Sequence, residues 1–120
     1  MTEPARTWID DPNPWQPEAD ALTLAYIGKL GEELNECGAA IFRCVIQGVN
    51  AAEPSTGELN RDWLAKEIAD VQANLALVID HLNLDREAIE KRRLFKTAYL
   101  LKWHGMVEQP LSTSASLEKP

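Results

Sequence analysis

The 120-residue chain predicts an all-α fold, an antiparallel helical bundle whose core is completed by oligomerisation. Three observations carry this. Apolar residues recur at alternating steps of three and four in successive stretches, loops rich in Gly, Pro, Ser and Thr separate those stretches, and no Asn-Gly or Asp-Gly turn joins alternating runs. The apolar stripes are long for so short a chain, which points to a second copy burying part of them.

Taken in order, residues 1–19 hold four prolines together with Trp8 and Trp15 and read as an extended N-terminal arm. A helical domain follows over residues 20–104. Ile27, Leu30, Leu34, Cys37, Ile41 and Cys44 lie on one stripe of a first helix that runs from Asp20 to near Gly48. The stretch GVNAAEPSTGELN has no period and is a loop, with Ser55 and Glu58 at the spacing of one short capped turn. With Asn60 as N-cap, Leu64, Ile68, Val71, Leu75, Val78, Ile79 and Leu82 define a second amphipathic helix. Asp85 caps a third, from Arg86 to Trp103, with Ile89, Leu94, Ala98 and Leu101 pointing inward. Residues 105–120 read as a flexible tail.

A formal net charge of −7 repels nucleic acid backbones, so an anionic partner needs a bridging cation. No window reaches the ~20 apolar residues of a membrane span, and no basic start precedes an apolar run, so the expected location is cytoplasmic, without membrane contact. Cys37 and Cys44 lie about 10 Å apart along one helix, too far for a disulfide, and are expected to be buried thiols.

The carboxylates carry the chemistry. On wheels of ~100° per residue with Leu30 and Leu64 at zero, both apolar stripes centre near ~10°. Glu33 and Glu67 then fall at ~300°, and Glu36 and Asp70 at ~240°. Each pair is spaced i, i+3, so its side chains leave neighbouring turns in one direction. If the two helices run antiparallel, both acidic flanks come out on the same side, and four carboxylates converge on one edge of the core. A solvated acidic face would explain one such run. Two matched runs leave only Lys29 with Glu33 and Lys66 with Asp70 as local compensation, a few tenths of a kcal/mol each. Clustered hard oxygen ligands suit Mg²⁺ or Mn²⁺, which then takes substrate phosphates in its remaining coordination positions.

Glu33-Leu-Asn-Glu36, followed on the next helix by Glu67-Ile-Ala-Asp70, resembles the Glu-x-x-Glu and Glu-x-x-Asp signature of the MazG-like all-α nucleoside triphosphate pyrophosphohydrolases. The resemblance spans roughly residues 24–103. It implies an Mg²⁺-dependent enzyme that cleaves a (d)NTP between the α and β phosphates, giving (d)NMP and pyrophosphate in nucleotide-pool housekeeping, as a homodimer or homotetramer. Under it, Glu33, Glu36, Glu67 and Asp70 are the metal ligands. The position of Glu32 beside them, rather than the resemblance, makes it a candidate for a supporting or water-orienting role. Asn74, Lys91, Arg92 and Lys96 are the expected substrate contacts. Phe95 stands where the family carries an Asn, and the loop between the acid pairs is long for the family.

Two other readings compete. A non-catalytic helical dimerisation or partner-binding module explains the apolar stripes but leaves the matched acid offsets as coincidence. A ferritin-like oxidoreductase requires Glu-x-x-His pairs, and neither His81 nor His104 follows a Glu at that spacing.

Overall fold

A computed structural model describes residues 15–108. It contains three helices: α1 over Ala21–Gln47, α2 over Asn60–His81 and α3 over Arg86–Glu108. The expected all-α class holds, since the sole β pairing among the described residues is an isolated bridge between Ala52 and Leu59. Among the described residues, no helix is long and apolar enough to cross a membrane. Trp8 and residues 109–120 of the expected tail lie outside the described residues. The chain divides into two compact units, Met1–Leu82 and Asn83–Pro120.

In the first unit α1 and α2 pack as an antiparallel hairpin, clasped at both ends. Asp20 caps α1, its Oδ2 accepting from the Thr23 N–H at 2.8 Å and from the Thr23 hydroxyl at 2.7 Å. Thr23 Oγ1 also lies 3.0 Å from His81 Nε2 at the far end of α2, and Tyr26 stacks on the His81 ring at 4.3 Å. The hydroxyl has one hydrogen and gives it to Asp20. It must therefore accept from His81, which sets the imidazole proton on Nε2.

At the other end the Asn60 side chain reaches back across the loop. Its Nδ2 donates to the Gly48 carbonyl at 2.9 Å and to Gln47 Oε1 at 3.3 Å. Asn60 is therefore the first residue of α2 and a tie to α1, whereas Leu59 occupies the N-cap position without a side-chain bond. The expected Asn60 cap is not formed: the Asp62 and Trp63 N–H groups bond the Leu59 carbonyl, and the Asn60 amide is held by its Nδ2 on Gln47 and Gly48. The expected Ser55–Glu58 turn also differs. Glu53 Oε1 takes both the N–H and the hydroxyl of Ser55, while the Glu58 N–H donates to Thr56 Oγ1. A carboxylate two residues before Ser55 reaches its backbone more easily than one three residues after.

The seam between α1 and α2 is rotated from its expected place. Glu33, Cys37, Ala40 and Cys44 are buried on α1, and Asn60 and Val78 on α2, with Glu67 and Val71 half-buried. On the same wheels both sets centre near ~310°, about 60° from the expected stripe centres. Small side chains decide this, since Ala40, Cys37 and Cys44 let the two helices approach where Leu34 and Ile41 would hold them apart. Both cysteines are free and buried, as expected. The larger residues of the stripe remain uncovered, Leu34 at 50% and Ile41 at 45% exposure, with Ile27, Val45, Ile68, Leu75 and Leu82 also exposed. Equal offsets on antiparallel helices fall on one side, so the hairpin has an apolar face, and a polar face opposite it that carries Glu36 and Asp70.

The second unit is built around α3. Asp85 caps it as expected, its Oδ1 accepting from the Ala88 N–H at 2.9 Å. The helix continues to Glu108, past the expected end at Trp103. Its expected inward residues Ile89, Leu94, Ala98 and Leu101 are all exposed. They fall at about 0°, 140°, 180° and 120° around the axis, so they form no single stripe.

The Thr23 clasp has a measurable consequence. Thr23→Val keeps the shape but removes the hydroxyl that joins Asp20 to His81, and should cost about 1–2 kcal/mol at neutral pH. The hydrogen bonds from Thr23 hold the Asp20 carboxyl below the usual aspartate range, with a smaller contribution from His81. A depressed folded-state value stabilises the fold above the ordinary aspartate pKa and loses that contribution as pH falls through the depressed one. Denaturant melts across the acid range should therefore show a shallower acid loss in Thr23→Val than in the parent chain.

Candidate metal centre

Three carboxylates meet at the middle of the hairpin seam. Oxygens of Glu33, Glu67 and Asp70 all lie within 4.8 Å of one another. Glu33 is only 8% exposed, Glu67 is half-buried and Asp70 is exposed, so the cluster runs from the seam out to the polar face. Rotation of the seam towards ~310° carries Glu33 and Glu67 inward from the flank where they were expected.

Each buried acid is held by one oxygen and leaves the other without a partner. Glu33 Oε1 lies 3.3 Å from Lys29 Nζ, and Glu67 Oε1 accepts from the Trp63 indole N–H at 3.1 Å. Glu33 Oε2 and Glu67 Oε2 are buried and make no hydrogen bond. A buried carboxylate oxygen with no donor costs on the order of 1–3 kcal/mol or more. Glu33, Glu67 and Asp70 together form a hard oxygen donor set that could hold a metal ion.

Glu36 lies outside that group of three. It still feels the group, because the charge on Glu33, then desolvation, then Glu67 and Glu32 push its carboxyl above the usual range. Glu32 is exposed and bonded to Lys29 at 3.4 Å. The expected Lys66–Asp70 pair is not formed among the ion pairs of the described residues; Lys66 turns to Glu58 at 2.6 Å. Asn74 donates to the Asp70 carbonyl one turn back at 2.8 Å, which holds its side chain along α2.

Lys91, Arg92 and Lys96 lie on α3 and are exposed. Arg92 sits over its own neighbour Phe95 and Lys96 over Tyr99, each at 5.3 Å from the ring. Arg93 is paired with Glu90 at 2.6 Å.

Two contacts, one at the site and one at the hairpin end, carry little signal in the sequence. The Trp63–Glu67 bond has an i, i+4 spacing that allows it, but an indole and a carboxylate at that spacing form no distinctive pattern. The His81–Thr23 contact joins residues 58 apart and has no local signal.

Replacing Glu36 with Gln removes one charge from beside the cluster while keeping its size. In metal-free protein this should leave stability unchanged or raise it slightly, read as the midpoint of a denaturant melt. A clear fall in the midpoint would mark Glu36 as structural.

Comparison with protein-family profiles, with characterised proteins and with solved structures finds no match for this chain.

Proposed function

We propose that the hairpin is a Mg²⁺-dependent nucleoside triphosphate pyrophosphohydrolase site, releasing (d)NMP and pyrophosphate. The observation that carries this reading is the group of Glu33, Glu67 and Asp70, whose carboxylates each bring an oxygen within 4.8 Å of the others, with one buried oxygen of Glu33 and one of Glu67 left without a hydrogen-bond partner. The resemblance of Glu33-x-x-Glu36 and Glu67-x-x-Asp70 to the MazG-like signature supplies the reaction class.

Glu33, Glu67 and Asp70 would hold the cation, with Glu36 as a fourth ligand from the polar face. The ion would polarise the phosphoryl group and offset the charge on the departing pyrophosphate. Trp63 fixes one oxygen of Glu67 and Lys29 one oxygen of Glu33, and the other oxygen of each has no hydrogen-bond partner. Water adds to the α-phosphorus, its proton passes to a carboxylate at the rim of the cluster, and the bond to the pyrophosphate oxygen breaks. Incubation with a panel of NTPs and dNTPs plus Mg²⁺ should yield monophosphate and pyrophosphate. No turnover, together with no Mg²⁺ or Mn²⁺ binding by calorimetry, overturns the proposal.

The apolar face favours a second element of the reading, assembly of two copies. Ile27, Leu34, Ile41, Val45, Ile68, Leu75 and Leu82 form a band on the side of the hairpin away from Glu36 and Asp70. Together they offer on the order of 600 Å² per copy, about 1,200 Å² across a dimer, at the lower end of stable interfaces. Face-to-face packing would convert two hairpins into a four-helix core and leave both acid clusters outside it. The same face would serve a non-catalytic dimerisation module, and metal binding separates the two readings.

A further inference from the structure

One positive charge already stands at the acid cluster. The hairpin carries four Lys and Arg side chains, Lys29, Arg43, Arg61 and Lys66. Three of them are bound to the loop between α1 and α2: Arg43 lies 3.9 Å from Glu53, the Arg61 Nε donates to Asn50 Oδ1 at 2.7 Å, and Lys66 lies 2.6 Å from Glu58. Of the four, Lys29 is the one paired with a member of the cluster. Its Nζ stands 3.3 Å from Glu33 Oε1 and 3.4 Å from Glu32 Oε1.

We propose that Lys29 changes partners at this site: its ammonium balances Glu33 until a divalent ion binds Glu33, Glu67 and Asp70, and then swings to a phosphate of the metal-bound substrate. The assignment rests on the metal and triphosphate reading of the cluster, and it adds the residue that meets the phosphate.

Three observations support it. The first is that Lys29 and the ion would compete for one group. The ammonium takes Glu33 Oε1, while Glu33 Oε2 is buried without a partner and the residue is 8% exposed. A divalent ion drawn to that carboxylate offsets the charge that held the ammonium and repels the ammonium itself.

The second is that Lys29 is free to leave. Its side chain is 53% exposed against 10% for Glu33, so of the two partners the lysine is the one with water to move into. An exposed pair one turn apart, with the lysine on the N-terminal side, is weakly held. Glu32, itself 59% exposed, stays within reach as the second partner and keeps the released ammonium beside the cluster.

The third is the balance of charge. A triphosphate carries more negative charge than one divalent ion offsets, and Glu32 and Glu36 add further carboxylates around the three ligands. A lysine ammonium, compact and with three donors on a flexible stem, is a common phosphate ligand. With Arg43, Arg61 and Lys66 engaged at the loop, Lys29 is the hairpin cation placed to meet that phosphate.

The test uses the full chain and inorganic probes, so that neither base nor turnover enters. Calorimetry measures Mg²⁺ and Mn²⁺ alone, and then magnesium tripolyphosphate added to the chain in excess Mg²⁺. Lys29→Met, which keeps the stem and removes the charge, should bind the cations about three- to tenfold more tightly and tripolyphosphate at least about tenfold more weakly. Lys29→Arg, which keeps the charge, should restore tripolyphosphate binding. Lys66→Met removes a charge engaged by Glu58 and should change either affinity by less than about twofold. A Lys29→Met chain that binds cations no more tightly than the parent, or tripolyphosphate no more weakly, overturns the proposal even where nucleoside triphosphates are hydrolysed. Both shifts in a chain that hydrolyses no nucleoside triphosphate sustain the exchange and remove the hydrolase reading. A parent chain that binds neither cation overturns both.

Discussion

Glu67→Gln is expected to abolish divalent-cation binding and to lower triphosphate turnover by at least 10²–10³-fold. The change is chosen for what it leaves intact. Glutamine keeps an oxygen that can accept from the Trp63 indole, so the ring stays in place. What is lost is the negative charge on a half-buried group whose second oxygen has no partner. Metal-free stability should not fall, because the variant removes one of several repelling anions and the desolvation cost of a charge. Calorimetry with Mg²⁺ and Mn²⁺, a melt in chelator and a turnover assay give three independent readouts. Unchanged cation binding would remove the seam carboxylates from the metal centre, whatever the activity.

The second large effect is expected on the opposite face. The double substitution Ile41→Asp and Leu75→Asp should convert a dimer into a monomer. Each site is more than two-fifths exposed in the single chain, so the hairpin itself tolerates a polar residue there. Across a face-to-face interface both would be buried in each copy, and loss of the four apolar side chains costs on the order of 6–8 kcal/mol before charge burial is added. That weakens association by about 10⁴–10⁶-fold, enough to shift sedimentation from dimer to monomer at micromolar concentration. Metal binding should survive, since the cluster lies in the seam and on the polar face. A parent chain that sediments as a monomer would leave the apolar face to another partner.

Much of the fold was legible from residue spacing. The bounds of α1 follow from Asp20 as a capping residue and from Gly48, whose φ of +103° suits a residue without a side chain. The start of α3 follows likewise from Asp85. The pairing of Glu33 with Glu67 and Asp70 was legible as well, because equal angular offsets on antiparallel helices bring side chains to one side. Local chemistry was harder to read wherever a side chain had a choice of partners. Asn60 left the capping role for acceptors on α1, Lys66 left Asp70 for Glu58, and Glu53 displaced Glu58 as the partner of Ser55.

The sequence by itself determined that the chain is helical, that its cysteines are buried thiols and that two acid pairs share one angular offset. Helical period and capping chemistry act within a few residues and need no partner to be read. Only the tertiary structure decided which edge of each apolar stripe forms the seam. That choice depends on how closely two backbones approach over Cys37, Ala40 and Cys44, a property of side-chain volume on both helices at once. It turned Glu33 and Glu67 from surface flank to buried seam, left two of their oxygens without donors, and exposed Leu34 and Ile41 on the other side.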